Sequence, residues 1–130
     1  DGTGVGDYIH VVDLARGHVC ALKCFDNSFK NKINIYNLGT GVGYSVLDVL
    51  HAYEKACNKK LDFVFDERRP GDVDTLYCNP EKAKLEIGFE AKYNLEDMCR
   101  DSFNFQSKNP NGYSENINKV KMVFEKWKKY

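Results

Sequence analysis

Ile33-Asn34-Ile35-Tyr36-Asn37-Leu38-Gly39-Thr40-Gly41-Val42-Gly43-Tyr44-Ser45-Val46-Leu47-Asp48 reads as strand, tight turn and helix start in sixteen residues. Ile33, Ile35, Tyr36 and Leu38 are β-prone and stop at Gly39, and Ser45 with Asp48 has the spacing of a capping box. Val46, Val49, Leu50, Tyr53 and Cys57 follow at helical spacing and mark the face that helix should bury. Leu61 to Phe65 then predicts a second strand, with Leu61, Phe63 and Phe65 on one side. Upstream, Tyr8 to Val12 predicts a short strand and Asp13 a helix N-cap. Leu14, His18, Ala21, Leu22 and Phe25 predict an apolar stripe on a helix over 14–25 that ends at Asn27-Ser28. Downstream, Asn79-Pro80 predicts the start of a short helix closed by Gly88. Asn94 predicts the cap of a longer helix with Leu95, Met98, Cys99, Ser102 and Gln106 on one face, broken at Asn109-Pro110-Asn111-Gly112. Strands and helices in alternation predict an α/β architecture.

The chain has 130 residues, 42% hydrophobic content and no net charge, enough for one globular domain and unlike a general polyanion binder, so no nucleic-acid partner is expected. Cys20, Cys24, Cys57, Cys78 and Cys99 form no C-x-x-C pair, and the three histidines add no zinc spacing, so reduced and mostly buried thiols in a cytoplasmic protein are expected, with no metal. No apolar run approaches the roughly 18 residues of a membrane span. The first residues do not read as a signal peptide and carry no initiator Met, which suggests a fragment or an excised domain.

Two glycine runs, Gly2-Thr3-Gly4-Val5-Gly6 and Gly39-Thr40-Gly41-Val42-Gly43, and one turn concentrate the functional signal. Arg68-Arg69-Pro70-Gly71-Asp72 places two always-charged planar donors and a carboxylate around a Pro-Gly turn, a combination suited to a phosphorylated ligand with a sugar diol, although taken alone it reads first as a solvated loop salt bridge. Gly39-Thr40-Gly41-Val42-Gly43 lies in a strand-to-helix context, but its spacing is not G-x-G-x-x-G and no well-placed acidic residue follows, so a tight turn is the simpler reading. Tyr8, His10 and Asp13 need not converge as a proton relay, and His18 and His51 read as structural or solvated.

The order of these segments, GTGVGDYIHVVDLARGHVCAL, INIYNLGTGVGYSVLDV, FDERRPGDVDTLYC and YNLEDMCRDSFNFQSKNPNGY, resembles the carboxy-terminal part of the UDP-glucose 4-epimerase family, within the extended short-chain dehydrogenase/reductases. The resemblance runs from Asp1 to about Tyr113. It implies a fold class of α/β, the substrate-binding part of such an enzyme without most of the Rossmann domain, with a UDP-hexose-binding portion over 1–113. Residue by residue, it implies that Arg69 clamps the UDP phosphates, Asp72 contacts the uridine ribose, Arg68 orients its neighbour and Leu76 lies beside the hexose. Leucine where some members carry tyrosine implies room for UDP-N-acetylhexosamines. Gly6 stands where the family pattern has a phosphate-binding arginine, which puts full activity in doubt.

The family's reaction inverts C4 of a UDP-hexose through tightly bound NAD and a Tyr-x-x-x-Lys acid/base. No tyrosine here has a lysine four positions on, so no catalytic and no cofactor-binding residue is expected in this chain, which alone should be inactive. The resemblance further implies galactose metabolism, a homodimer for the full-length enzyme, and a missing Rossmann half to which the strand 33–38 would add. Alternatives are a related nucleotide-sugar epimerase or dehydratase, and a noncatalytic binding module. Beyond the resemblance, Val120, Val123, Phe124 and Trp127 among lysines predict a basic amphipathic helical tail over 114–130, either folded back on the domain or free for a groove or an acidic membrane.

Overall fold

The computed structural model describes residues 1–25, 33–67 and 69–112. The predicted tail over 114–130, the helix end at Asn27-Ser28 and Arg68 lie outside them. The described residues form β1 (Val5–Asp7), α1 (Val11–Cys24), β2 (Gly43–Ser45), α2 (Val46–Cys57), β3 (Thr75–Leu76), α3 (Glu81–Ile87) and α4 (Leu95–Lys108). This is the α/β class expected, with a smaller sheet than the sequence suggested.

Helices α2 and α4 begin where their caps predict. Ser45 accepts from the Asp48 amide, and Asp48 accepts from the Ser45 amide in return; Asn94 and Asp97 repeat the arrangement. Each reciprocal pair satisfies amide donors that a helix start otherwise leaves unpaired. Helix α3 follows Pro80, which stands at the cap rather than the first helical position, and Asn79 Oδ1 accepts from the Glu81 amide. Gly88 closes it at φ 67°, a left-handed conformation that glycine adopts without a Cβ clash.

Helix α1 departs from expectation at its start and in its facing. Its cap is His10, whose Nδ1 accepts from the Val12 amide, and the predicted strand 8–12 is absent because the helix begins at Val11. Asp13 is therefore inside the first turn, and its fully buried carboxylate is used elsewhere. The inward face carries Asp13, Gly17, Cys20, Ala21 and Cys24, whereas Leu14, His18, Leu22 and Phe25 of the predicted stripe are exposed. Gly17 makes room there: a Cβ would come within 2.7 Å of a Leu38 methyl, which would have to shift.

The sheet order is β2-β1-β3, antiparallel between β1 and β2 and parallel between β1 and β3. Residues 33–38 and 61–65 form no strand. The first of these keeps a strand's alternation, with residues 34, 36 and 38 turned inward and Ile33 and Ile35 left 80% and 74% exposed. A strand borrows its backbone bonds from a neighbour, and the described residues supply no neighbouring strand to this segment. Two small cores result. Ala52, Leu95 and Cys99 pack between α2 and α4 with Val49 and Tyr53, while Ala83, Ile87 and Phe89 pack under α1 with Ile9, Ala21 and Leu38. Leu50 and Cys57 are half-buried, and Val46, expected on the inner face, is exposed. Of the thiols only Cys99 is buried and the other four are half-buried, fewer than expected.

Candidate nucleotide-sugar site

Strand β1 sets the site. Its middle residue, Gly6, is flanked by Tyr44 of β2 and Leu76 of β3. The Val5 amide donates to the Asp74 carbonyl at 2.9 Å, which fixes where β3 begins. Upstream of β3, Arg69-Pro70-Gly71-Asp72 makes a tight turn closed by the Asp72 amide on the Arg69 carbonyl at 3.2 Å. Gly71 takes φ 92°, which with Pro70 before it is the signature of a type II turn. The turn brings the side chains at its two ends together: Arg69 Nε donates to Asp72 Oδ2 at 3.1 Å. The guanidinium and the carboxylate singled out in the sequence thus pair with each other, both solvent-exposed. An ion pair in water holds within about 1 kcal/mol. Leu76 is 69% exposed, and Tyr77 beside it is also open to solvent.

Asp7 was not singled out in the sequence. Its Oδ1 accepts from the Thr40 amide at 2.9 Å and the Thr40 hydroxyl at 2.7 Å, and its Oδ2 accepts from the amides of Gly41 at 3.0 Å and Cys78 at 3.3 Å. Burial pushes this carboxyl up, but the donors outweigh it and hold it below the usual value. The donors lie 33 to 71 residues away, so no local pattern announces the role. The Cys78 thiol, desolvated and beside the Asp7 carboxylate, is pushed up instead.

The same joint accounts for the glycine run. A Cβ at Gly39 would lie 2.5 Å from both Asp7 Oδ2 and Cys78 Sγ, and one at Gly43 would lie 2.7 Å from Val5. Side chains of the protein itself occupy the space a Cβ would take at Gly39 and Gly43, which accounts for glycine at both positions.

His10, Asp13 and Tyr8 do not form a relay. Because His10 Nδ1 accepts from Val12, its Nε2 carries the proton and donates to Asp101 Oδ2 at 3.2 Å, and its ring lies against Tyr93. Asp13 Oδ2 accepts from the amides of Lys92 and Tyr93 at 2.8 and 2.9 Å, and Oδ1 accepts from Arg16. Burial pushes this carboxyl up too, and these donors again hold it low. His18 is exposed, set against the Leu14 carbonyl, and His51 is exposed on α2. An apolar cleft of about 480 Å³ lies between α2, α4 and residues 8–11, lined by Tyr53, Met98 and Phe105 among others. Among the described residues no cluster of side chains could hold a metal ion, and no helix is long and apolar enough to cross a membrane.

The family described as GDP-mannose 4,6 dehydratase matches residues 1–102. The UDP-glucose 4-epimerase of Bacillus subtilis (strain 168) is 57% identical over 113 residues, 87% of this chain and 33% of that protein. UDP-glucose 4-epimerase 1 of Oryza sativa subsp. japonica is 54% identical over 114 residues, 87% of this chain and 32% of that protein. Among solved structures, the UDP-glucose 4-epimerase from Bifidobacterium longum in complex with NAD+ and UDP superposes with a TM-score of 0.79 at 51% identity, covering 86% of this chain and 32% of that one. The chain spans about a third of the length of the relatives it matches. With four-fifths of its residues matched by that description, the chain belongs to this extended short-chain dehydrogenase/reductase family and is similar to the carboxy-terminal part of its UDP-glucose 4-epimerases.

Proposed function

We propose that this chain is the substrate-binding portion of an NAD-dependent UDP-glucose 4-epimerase that interconverts UDP-glucose and UDP-galactose. Residues 1–113 hold the UDP-hexose and 114–130 are an appended tail. The observation that carries the reading is the parallel register of β1 and β3, which sets Gly6 beside Leu76 directly after the Arg69–Asp72 turn. On this reading Arg69 neutralises the pyrophosphate, Asp72 accepts from the ribose hydroxyls, and Leu76 borders the hexose. The acid/base and the NAD come from a Rossmann half outside this sequence, so the isolated chain binds without turnover, and the full-length enzyme is a cytoplasmic homodimer. The exposed apolar face of α1, Val11, Leu14, Leu22 and Phe25, and the unladdered segment 33–38 are the surfaces that half would cover.

Gly6 favours a second reading, a noncatalytic UDP-sugar-binding module. A Cβ at Gly6 would meet only Tyr8, at 3.7 Å, an ordinary contact. A Gly6→Arg variant should therefore fold unchanged. If Gly6 lies on the pyrophosphate, the added guanidinium is worth ~1.5 to 3 kcal/mol, roughly tenfold to a hundredfold in UDP affinity. Titration of both forms with UDP, followed by proton-nitrogen NMR, measures this. No shift at Arg69, Asp72 or Leu76 in either form would sink the nucleotide site. Turnover of UDP-galactose by a full-length version carrying Gly6 would sink the noncatalytic reading.

A further inference from the structure

We propose that Asp7 is a positioning residue for this nucleotide-sugar site, holding β3 against β1 so that Leu76 stays beside Gly6; the proposal rests on the reading of Gly6, Arg69, Asp72 and Leu76 as that site. Strand β3 is two residues long, with only Val5↔Thr75 and Gly6↔Leu76 in register. So short a ladder holds poorly by itself. The Cys78 amide, two residues past Leu76, is bound by Asp7 Oδ2, and the same oxygen binds the Gly41 amide. Asp7 thereby pins the far end of β3 and the 39–41 turn to the end of β1, while the Val5 amide on the Asp74 carbonyl pins the near end. The four donors need an oxygen at each position, and an ionised carboxylate is the side chain that offers acceptors alone. Gly39 leaves the joint open by carrying no side chain between Asp7 and Cys78.

Asp13 supplies a matched control. It too is a carboxylate that accepts from distant backbone amides, though buried where Asp7 is half-buried, and its amides belong to Lys92 and Tyr93, ahead of α4. Asp7→Asn keeps one acceptor oxygen and sets an amino group either against the Gly41 and Cys78 amides or against the Thr40 amide and hydroxyl, so at least one amide donor loses its acceptor in either orientation. In the isolated chain, amide exchange at Val5 and Cys78 should quicken at least about tenfold, while Met98 in α4 and Leu14 in α1 keep their protection. UDP affinity should fall about fivefold or more. Asp13→Asn should quicken exchange at Lys92 and Tyr93 and leave UDP affinity within about twofold. Should Asp7→Asn unfold the chain, Thr40→Val removes one of the four donors and should give the same pattern at smaller amplitude. Uniform loss of protection including Met98, or unchanged exchange at Cys78, overturns the proposal. If the unsubstituted chain shows no UDP-dependent shifts, the nucleotide reading and the ligand clause of the proposal fall together, and the exchange pattern still decides whether Asp7 positions β3.

Discussion

Helices α2 and α4 close on each other with both ends capped, whereas residues 62–67 and 69–74, which take in most of the strand pattern Leu61 to Phe65, lie open. Ala52, Leu95 and Cys99 are buried between the helices, and Tyr53 reaches Ser102 at 3.0 Å across them. Phe63 and Phe65 do share a side, 5.5 Å apart edge to face, yet both are exposed. A helix satisfies its backbone internally and needs a neighbour only for its apolar stripe. A strand needs a neighbour for both, so a strand pattern without a partner sheet yields an extended segment and nothing more.

Leu95→Ala is the hardest blow to this contrast. It should lower stability by about 2 to 4 kcal/mol in urea denaturation, because the cavity lies between two packed helices; a loss below about 1 kcal/mol would mean the α2–α4 side is no better packed than the open stretch. Acid sharpens the contrast next. Asp7 and Asp13 are held below the ordinary value of 3.8, so their contribution is full above that value and is lost as pH falls through the lowered folded values. Amide peaks of Thr40, Gly41, Lys92 and Tyr93 should therefore move or vanish below about pH 4 while the chain between Leu61 and Asp66 shows no cooperative change; survival of those four to pH 2 would break it. Asn94→Ala should remove about 1 kcal/mol through the lost cap, read as a lower urea midpoint. The smallest effect belongs to the open side: Phe63→Ala should stay within about 0.5 kcal/mol of the parent, and a larger loss would show that the stretch is covered in solution.

The parts that were legible are those whose instructions are local. Ser45, Asn94 and Gly88 announce helix ends within five residues of the bonds they make. The start of α1 was hidden because His10 caps it, a residue outside the usual Ser, Thr, Asp and Asn set. Asp13 looked like that cap and instead binds amides 79 and 80 residues away. The apolar stripe of α1 was read in the right helix but on the wrong face, since periodicity reports an apolar surface without saying what covers it. At the site, Arg69, Asp72 and Leu76 stood out by side-chain chemistry and by family likeness. Asp7 did not, because a carboxylate's partners are fixed by tertiary folding.

The ties that hold the first thirteen residues in place have a consequence for synthesis of the chain. Asp7 waits for Cys78, and Asp13 for Lys92 and Tyr93. At about 5 to 20 residues per second, a gap of 79 residues keeps Asp13 waiting roughly 4 to 16 s on the ribosome. During that interval α1 has neither its buried anchor nor Phe89 and Ile87 to pack against, and both of its apolar faces are open to whatever nascent-chain factors are at hand.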